Sequence, residues 1–461
     1  MSGLRDVVFL IVLAGLVPVS LVRPWIGVLA WSWIAYMAPH KLTWGFGQSL
    51  PVAMLIGGAT LAGLLFTKDR KPIPWVTGTV LLLLFSIHIT VTTMVGYQPE
   101  LSWGKWDWVV KSLLITFVTM MLFQDRTRLR WLYMVMALSL GFYGLKGGIW
   151  VLRTGGDNRV WGPDGTFFGD NNTLGLALCM ALPLLLYLSR EEPRRWLKWI
   201  LRATFAGSCV AILFTYSRGA FLGLAVVMAV LIWRSPWRLR FAMGVLVVGL
   251  IGAPLLPAHL WERIQSIAKQ EDAETRDTSA AGRLEAWQTA WNVALARPVT
   301  GGGFRVLWNG NVWLNYYQGS FLAVRDAHSL YFEVLGEHGF LGLGLYLAIL
   351  FNTLLALVRI RRRWRGDAEH GYLSRYAEMI QLSLYPYLVA GAFLGVAYFD
   401  LYFHLVSTSI LLQVLSAQAE KAPAAEPGAA LAPALTPPDP PRRKRLTPGI
   451  APSPGPRTRH A

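Results

Sequence analysis

The sequence has little charge and almost no cysteine for its length. Of its 461 residues only 15% are charged, whereas about a quarter is usual in soluble domains. The two cysteines, Cys179 and Cys209, lie in apolar runs, which argues against a disulfide framework or a thiolate metal site. The histidines His328 and His338 lie too far apart for a zinc-type ligand set, and no phosphate-loop motif is present. We therefore expect no metal and no cofactor.

The sequence is rich in long apolar runs, and 54% of its residues are hydrophobic. About ten runs of membrane-spanning character precede residue 256, and about three follow residue 339. Helices satisfy their own backbone polar groups in lipid. The pattern predicts an all-α polytopic membrane protein with about 12–13 transmembrane helices and one large loop between the tenth and eleventh runs. Runs 7–21 and 25–37 are two spans or one bent element, so the side of the N-terminus stays open.

The net charge of +17 could suggest nucleic acid as a partner, but the distribution of charge favours a membrane instead. Basic residues cluster in the short loops between apolar runs, and cytoplasmic loops carry such an excess. These loops are 68–71, 125–130, 190–198, 234–240 and 359–365. The segments between them, 96–107, 153–170, 217–219 and the large loop, should then face outward, and we expect no nucleic-acid partner.

The same reading divides the chain into four parts. Residues 1–256 form N-terminal transmembrane helices, 257–339 a large outer loop or cap, and 340–416 C-terminal transmembrane helices. Residues 417–461 are rich in alanine and proline and contain a basic cluster at Arg442–Arg445, so we expect a disordered cytoplasmic tail.

Two arginines are candidates for binding an anion on the outer side. Arg218 lies in the turn TYSRGA between two apolar runs, where a cation is costly without a partner or water. Arg283, in AGRLEAW, should lie near the start of a helix, where a guanidinium and the helix terminus both favour phosphate oxygens. The alternatives are that Arg218 caps a helix or reaches to headgroups, and that Arg283 is a surface residue of an amphipathic helix.

The segment DAHSLYFEVLGEHG holds a candidate general base. His328 can accept a proton from a hydroxyl at neutral pH. Tyr331 falls near it on a helix, whereas Glu333 and Glu337 are four residues apart and share another face. A structural role for His328 at the membrane interface is the alternative.

A further candidate pocket wall lies in RTGGDNRVWGPDGTFFGDNN. It holds Arg159, Asp170, Asn171 and Asn172, and turn chemistry alone accounts for much of this composition. Just before it, Lys146 interrupts an apolar run, and a lysine in a membrane segment predicts a functional site by default. A position near the outer interface is the other explanation for Lys146.

The order of these motifs resembles the bacterial O-antigen ligase and polymerase superfamily. The shared features are a multi-span N-terminal half, SRG in a short outward turn, GR…W in a large loop, and HSxYFE…GExG leading into the next span. More narrowly, GFYGLKGG, RVWGPDGTFFGDNN and AHSLYFEVLGEHGFLGL resemble O-glycosylation ligases associated with exosortase systems. The resemblance extends to about residue 415.

The resemblance implies a GT-C-like, metal-independent glycosyltransferase in the bacterial inner membrane, with a periplasmic active site. The donor would be a glycan on undecaprenyl diphosphate, and the acceptor a hydroxyl of an exported protein or a polysaccharide. By motif, Arg218 and Arg283 correspond to the residues that bind the diphosphate, and His328 to the essential histidine. It also implies contact with membrane lipids and a functional association with an exosortase system.

Three alternatives remain open from sequence. A polymerase of the same superfamily uses the same donor with a second lipid-linked glycan as acceptor. A transporter of lipid-linked glycan would have broken helices and inverted repeats, and we find no repeat. A non-catalytic scaffold for exosortase-dependent sorting would not require His328.

Overall fold

The structure, a computed structural model of the full chain, describes residues 3–156, 158–240, 243–244, 278–318 and 324–421. The chain divides into two compact units, Met1–Ala419 and Glu420–Ala461. Parts of the predicted segments lie outside the described residues: 157 of the segment 153–170, 241–242 and 245–256 of the tenth apolar run, 257–277 and 319–323 of the large loop, and 422–461 of the tail.

Every regular element in these ranges is helical. The α-helices are α1 Leu4–Val22, α2 Pro24–Met37, α3 Val52–Phe66, α4 Thr77–Met94, α5 Pro99–Leu122, α6 Arg126–Thr154, α7 Asn171–Glu191, α8 Arg195–Leu213, α9 Arg218–Arg234, α10 Thr278–Ala296, α11 Gly310–Tyr316, α12 Leu330–Arg363, α13 Gly371–Ala390 and α14 Asp400–Lys421. Short 3-10 helices cover Pro39–Leu42, Phe46–Ser49, Val306–Trp308 and Gly391–Phe393.

Within the described ranges, seven helices are long and apolar enough to cross a membrane: α1, α4, α6, α7, α8, α12 and α14. Helices α2, α3 and α9 are apolar but shorter, at 14, 15 and 17 residues. The chain is an all-α polytopic membrane protein, as the apolar runs predicted. The count of 12–13 spans stays a prediction. Helix α14 continues to Lys421, into the segment predicted as a disordered tail.

Helix α7 lies at the centre of the bundle. Its apolar window is 89% buried, and it packs against α6, α8, α9 and α13. Its sequence is leucine and alanine on all sides, the composition of a helix that is surrounded by others. By contrast, only 22% of the window in α1 is buried, so α1 lies at the edge and presents apolar side chains outward.

Small residues bring α6 and α8 into backbone contact. A Cβ built on Gly148 of α6 would lie 2.5 Å from the carbonyl oxygen of Gly207 in α8. One turn earlier, Gly144 lies directly on Ser208. Glycines spaced four residues apart allow this approach, which is a common basis of helix association in membranes.

Helix α12 is kinked at Gly339, which has φ 67° and ψ −170°. The segment that follows α10 is bonded to this kink. Phe340 N donates to Pro298 O at 2.7 Å, and Gly302 N and Gly303 N donate to Gly336 O and Glu337 O at 2.9 Å each. These bonds hold α10 against the first turns of α12, the two elements nearest the candidate site residues.

Candidate functional site

Arg218 is the first residue of α9. Ser217 caps the helix, because its hydroxyl accepts from Ala220 N at 3.3 Å. Tyr216, just before the cap, is held in the left-handed region at φ 54°. The helix N-terminus carries positive partial charge, and an arginine added there strengthens the attraction for an anion. The cap is therefore Ser217, and the guanidinium of Arg218 adds charge to the same end of α9.

Arg283 lies in the second turn of α10, since the helix begins at Thr278. It stands three and seven residues before Ala286 and Ala290, both fully buried, so it falls on the inward face of the helix. The apolar residues Leu284, Trp287 and Trp291 stand at helical spacing in the sequence, which predicts one shared apolar face. Leu284 is instead 54% exposed, so the buried face of α10 is rotated from the one that this spacing predicts, and Arg283 is half-buried on it.

His328 is exposed between two buried neighbours, Ala327 and Ser329. Its φ of 44° places it in the left-handed region, which is uncommon for a residue with a Cβ. The preceding peptide is fixed from α10, because Trp287 Nε1 donates to Ala327 O at 2.7 Å. Trp287 also stacks on Phe332, with ring centroids 4.9 Å apart. Residues whose rare backbone conformation is maintained by the surrounding structure are concentrated at functional sites, and His328 is such a residue.

The end of α13 touches the segments that carry all three candidates. A Cβ at Gly219, beside Arg218, would lie 3.8 Å from Ala390 O. Tyr331, three residues after His328, donates its hydroxyl to Leu388 O at 3.0 Å. Trp287, one turn after Arg283, packs against Phe393, with ring centroids 6.4 Å apart. The structure therefore brings the three segments around residues 388–393. The convergence of the three side chains on one cavity stays a prediction.

Arg325 is a cation that the sequence reasoning missed. Its guanidinium occupies the space that a Cβ on Gly282 would need, so it lies against α10 next to Arg283. It also precedes His328 by three residues. The sequence shows a charged residue at the start of RDAHS. Only the fold shows that the missing side chain of Gly282 leaves space for the guanidinium of Arg325.

Glu333, predicted as a pocket residue, belongs to a buried ion cluster. Lys105 Nζ lies 2.7 Å from Glu333 and 2.8 Å from Glu337, which confirms that the two glutamates share a face. Their remaining oxygens are also bonded. Ala397 N donates to Glu333 at 3.1 Å, and the Tyr398 hydroxyl donates to Glu337 at 2.6 Å. The cluster fixes the first turns of α12, the helix that begins two residues after His328. Lys105 was not among the predicted residues.

The polar residues at the start of α7 have structural partners. Asp170 caps the helix by accepting from Asn172 N and Thr173 N at 2.8 and 3.0 Å. Asn171 is buried and donates to Thr215 O at 2.7 Å. Asn172 is half-buried beside it. Turn and cap chemistry explains Asp170, and Asn171 ties this turn to the segment that precedes Arg218.

Lys146 and Arg159, the remaining predicted pocket residues, line a cavity of about 1150 Å³ beside α6. Lys41 and Arg153 line it as well. Arg218, Arg283 and His328 are not among the described residues of its wall. Burial and the neighbouring Lys41 lower the pKa of His40, so positive charge at this corner comes from Lys41.

Within the described ranges no group of three His, Cys, Asp or Glu side chains could hold a metal ion. His338 is fully buried, and its Nδ1 lies 2.6 Å from the Thr92 hydroxyl. It packs edge-on against Phe304, so it belongs to the core and not to the surface that bears His328.

Fold and site together define an all-α polytopic membrane protein with cationic and histidine-bearing segments gathered at one end of the bundle. Residues 203–347 match the family described as O-Antigen ligase, and residues 4–192 match a family of unknown function, DUF5935. The segment that matches the O-Antigen ligase family contains Arg218, Arg283 and His328. This match supports the resemblance of the chain to the O-antigen ligase superfamily, whose members are membrane glycosyltransferase-like ligases and polymerases. No curated protein matches the chain.

Proposed function

We propose that the protein is a membrane glycosyltransferase that transfers a glycan from undecaprenyl diphosphate to a hydroxyl of an exported protein, on Ser, Thr or Tyr. The observation that carries the proposal is His328, exposed and strained, held by Trp287 beside the segment of Arg283. The O-antigen ligase match over residues 203–347 supports the reaction class.

The reaction is a single displacement at the anomeric carbon of the donor. The acceptor oxygen forms a bond to C1, and the bond from C1 to the diphosphate oxygen breaks, with its electron pair leaving on the diphosphate. The imidazole of His328 takes the proton from the acceptor hydroxyl. Attack from the face opposite the leaving group inverts the configuration at C1.

The arginines stabilise the charge that develops on the leaving group. Arg218 adds its charge to the N-terminus of α9, and Arg283 stands on the inward face of α10. Preorganised cations aimed at a developing anion are among the largest contributions to enzymatic rate. With two guanidinium groups in this role the reaction needs no divalent metal, and EDTA should leave the rate unchanged.

The cellular setting follows from the charge pattern of the loops. The basic loops lie on the cytoplasmic side of a bacterial inner membrane, the site on the periplasmic side, and the C-terminus in the cytoplasm. The sequence resemblance supports an acceptor among proteins exported with an exosortase system. The second candidate is a repeat-unit polymerase, which the O-antigen ligase match supports equally.

A transfer assay with purified protein tests the proposal. Lipid-linked glycan is incubated with an exported protein or with a second lipid-linked glycan, and each product is quantified. We expect His328→Ala to reduce transfer at least about 100-fold, the scale of general-base catalysis. Arg218→Ala and Arg283→Ala should each reduce it by a comparable factor.

The control is Arg238→Ala, an exposed arginine of a predicted cytoplasmic loop, which should retain full activity. Product on the second glycan alone would identify a polymerase. Full activity of all three site variants would reject the mechanism, and glycosylation in cells carrying His328→Ala at normal protein abundance would favour a scaffold. Net movement of lipid-linked glycan across vesicles without transfer would identify a transporter.

A further inference from the structure

The cavity beside α6 has four basic side chains in its wall: Lys41, Lys146, Arg153 and Arg159. Asp164 is the one acidic residue among the described lining residues. Within the described part of the chain, none of the four cations makes an ion pair or a side-chain hydrogen bond. Like charges that share one cavity repel each other, and an anionic ligand would relieve that repulsion.

The four cations of the cavity lie at the predicted outer end of the bundle, where an excess of basic residues is not expected. Helix α6 begins at Arg126 in a basic loop, and the cavity residues Lys146 and Arg153 lie towards its other end. The positive-inside rule accounts for basic residues in the predicted cytoplasmic loop at the start of α6. It does not account for the basic residues at the predicted outer end of α6, where the cavity lies. A ligand-binding role accounts for it.

The size and walls of the cavity fit a carbohydrate chain better than a single phosphate. A volume of about 1150 Å³ exceeds the roughly 300–1,000 Å³ of most small-ligand pockets. Trp161, 55% exposed, and Trp150 present aromatic rings in the same wall. The apolar face of a sugar ring packs on such rings, while the cations are available for its acidic groups.

The cavity is joined to the turn that carries Arg218. Val160 lines the cavity, and its N–H donates to Phe214 O at 2.9 Å. The Tyr216 hydroxyl donates to Gly156 O at 2.6 Å. One residue of the cavity wall, Val160, and the nearby Gly156 are therefore bonded to residues 214–216, just before Arg218, so the cavity adjoins the segment that leads into the Arg218 turn.

We propose that this cavity binds the carbohydrate chain of the donor and selects for chains that carry carboxylates. The inference rests on the proposed function for the origin of the glycan. The cations pair with carboxylates several sugars away from the reacting carbon, and Trp161 stacks on a ring between them.

Direct binding tests the inference without transfer chemistry. Full-length protein in phosphatidylcholine nanodiscs is dialysed to equilibrium against labelled hexagalacturonate or its methyl ester, which has the same sugar chain without charge. We expect the acid to bind at least about tenfold more tightly than the ester. The variant Lys146→Gln/Arg153→Gln/Arg159→Gln should bind the acid about tenfold more weakly, since it removes three of the four cations that would pair with the carboxylates.

The matched control is Arg190→Gln/Arg194→Gln/Arg195→Gln, which removes the same charge at the other end of the bundle and should bind normally. Trp161→Ala should weaken both the acid and the ester severalfold. Equal binding of acid and ester, or equal losses in the two triple variants, would overturn the inference. Displacement of the acid by an equal concentration of inorganic pyrophosphate would show a phosphate site instead.

The two proposals fail separately. His328→Ala should bind hexagalacturonate as the wild type does while losing transfer. Loss of transfer without selective binding overturns the cavity assignment alone. Selective binding with transfer intact in His328→Ala overturns the catalytic proposal alone.

Discussion

Lys105 stabilises the first turns of α12, next to the candidate site residue His328, by pairing with two glutamates of that helix. Its side chain is 13% exposed, and its ammonium group lies between the carboxylates of Glu333 and Glu337. Burying charges is costly unless they are paired and their remaining valences are bonded. Here Arg305 N donates to Glu337 at 2.7 Å, and Ala397 N and Tyr398 complete the set. Removal of the single cation would leave two carboxylates without compensation.

We expect Lys105→Met to lower the free energy of unfolding by about 3–5 kcal/mol, because it leaves buried charge unpaired. Denaturant unfolding of the detergent-solubilised protein measures this. The variant Lys105→Met/Glu333→Gln/Glu337→Gln removes the charges together and should regain most of the loss. Wild-type stability in Lys105→Met would contradict a structural role for the cluster.

The conformation of His328 predicts opposite effects on stability and activity. Its left-handed backbone costs about 1–2 kcal/mol for a residue with a Cβ. His328→Gly should therefore be as stable as the wild type or more so, yet inactive in transfer. Thermal unfolding and the transfer assay, performed on one preparation, check both. A less stable His328→Gly would mean that the side chain holds the fold together.

The sequence predicted some site residues and missed others for a definite reason. Glu333 and Glu337 are four residues apart, so helical periodicity was enough to place them on one face. Lys105 is 228 residues from Glu333, and no local pattern connects them. Asp170 and Asn171 resembled pocket residues because caps and sugar-binding sites use the same side chains. Only their hydrogen-bond partners distinguish the two roles.

At the scale of elements, the kink in α12 joins the cap helix to the membrane helix. A Cβ on Gly339 would lie 2.5 Å from Pro298 O and 3.0 Å from Arg297 O. Its φ and ψ belong to a region that is open almost only to glycine. The position thus requires glycine both for its backbone angles and for the close approach of the segment after α10.

Gly339→Ala should lower the free energy of unfolding by about 2–4 kcal/mol, through backbone strain and the collision with Pro298. Because the α10 connection is displaced, transfer should fall as well. Gly344→Ala is the matched control in the same helix, since a Cβ there meets nothing within 4 Å. Equal behaviour of the two variants in unfolding and transfer assays would contradict this account.

The boundaries of α12 show what hydropathy alone could predict. The apolar run begins at residue 340, but the helix begins at Leu330. Its first turns carry Glu333 and Glu337, which interrupt any apolar pattern and are tolerated because Lys105 pairs with them. The existence and type of the element were readable from composition. Its start depended on a tertiary ion cluster.

At the scale of the whole molecule, the alternation of basic loops predicts which end of the bundle faces outward. We expect a cysteine at Asp164, beside the cavity, to react with a membrane-impermeant maleimide in intact cells. A cysteine at Glu369, four residues after the basic loop 359–365, should react only after lysis. Both are exposed, and the background is a chain with Cys179 and Cys209 replaced by alanine. The reverse pattern would place the proposed site in the cytoplasm and reject the lipid-linked donor.

The contact between α6 and α8 bears on how such a chain can be inherited. The two family matches meet between residues 192 and 203, which is where α8 begins. Yet Gly148 of the first segment lies on the backbone of Gly207 in the second, too close for a methyl group on Gly148. Recombination between residues 192 and 203 would combine an α6 and an α8 from different proteins. If the incoming α6 carried alanine at the position of Gly148, its methyl group would collide with the backbone of Gly207, and the two helices could not pack. The two segments match different families but pack against each other through this contact, so we expect them to pass between genomes as one unit.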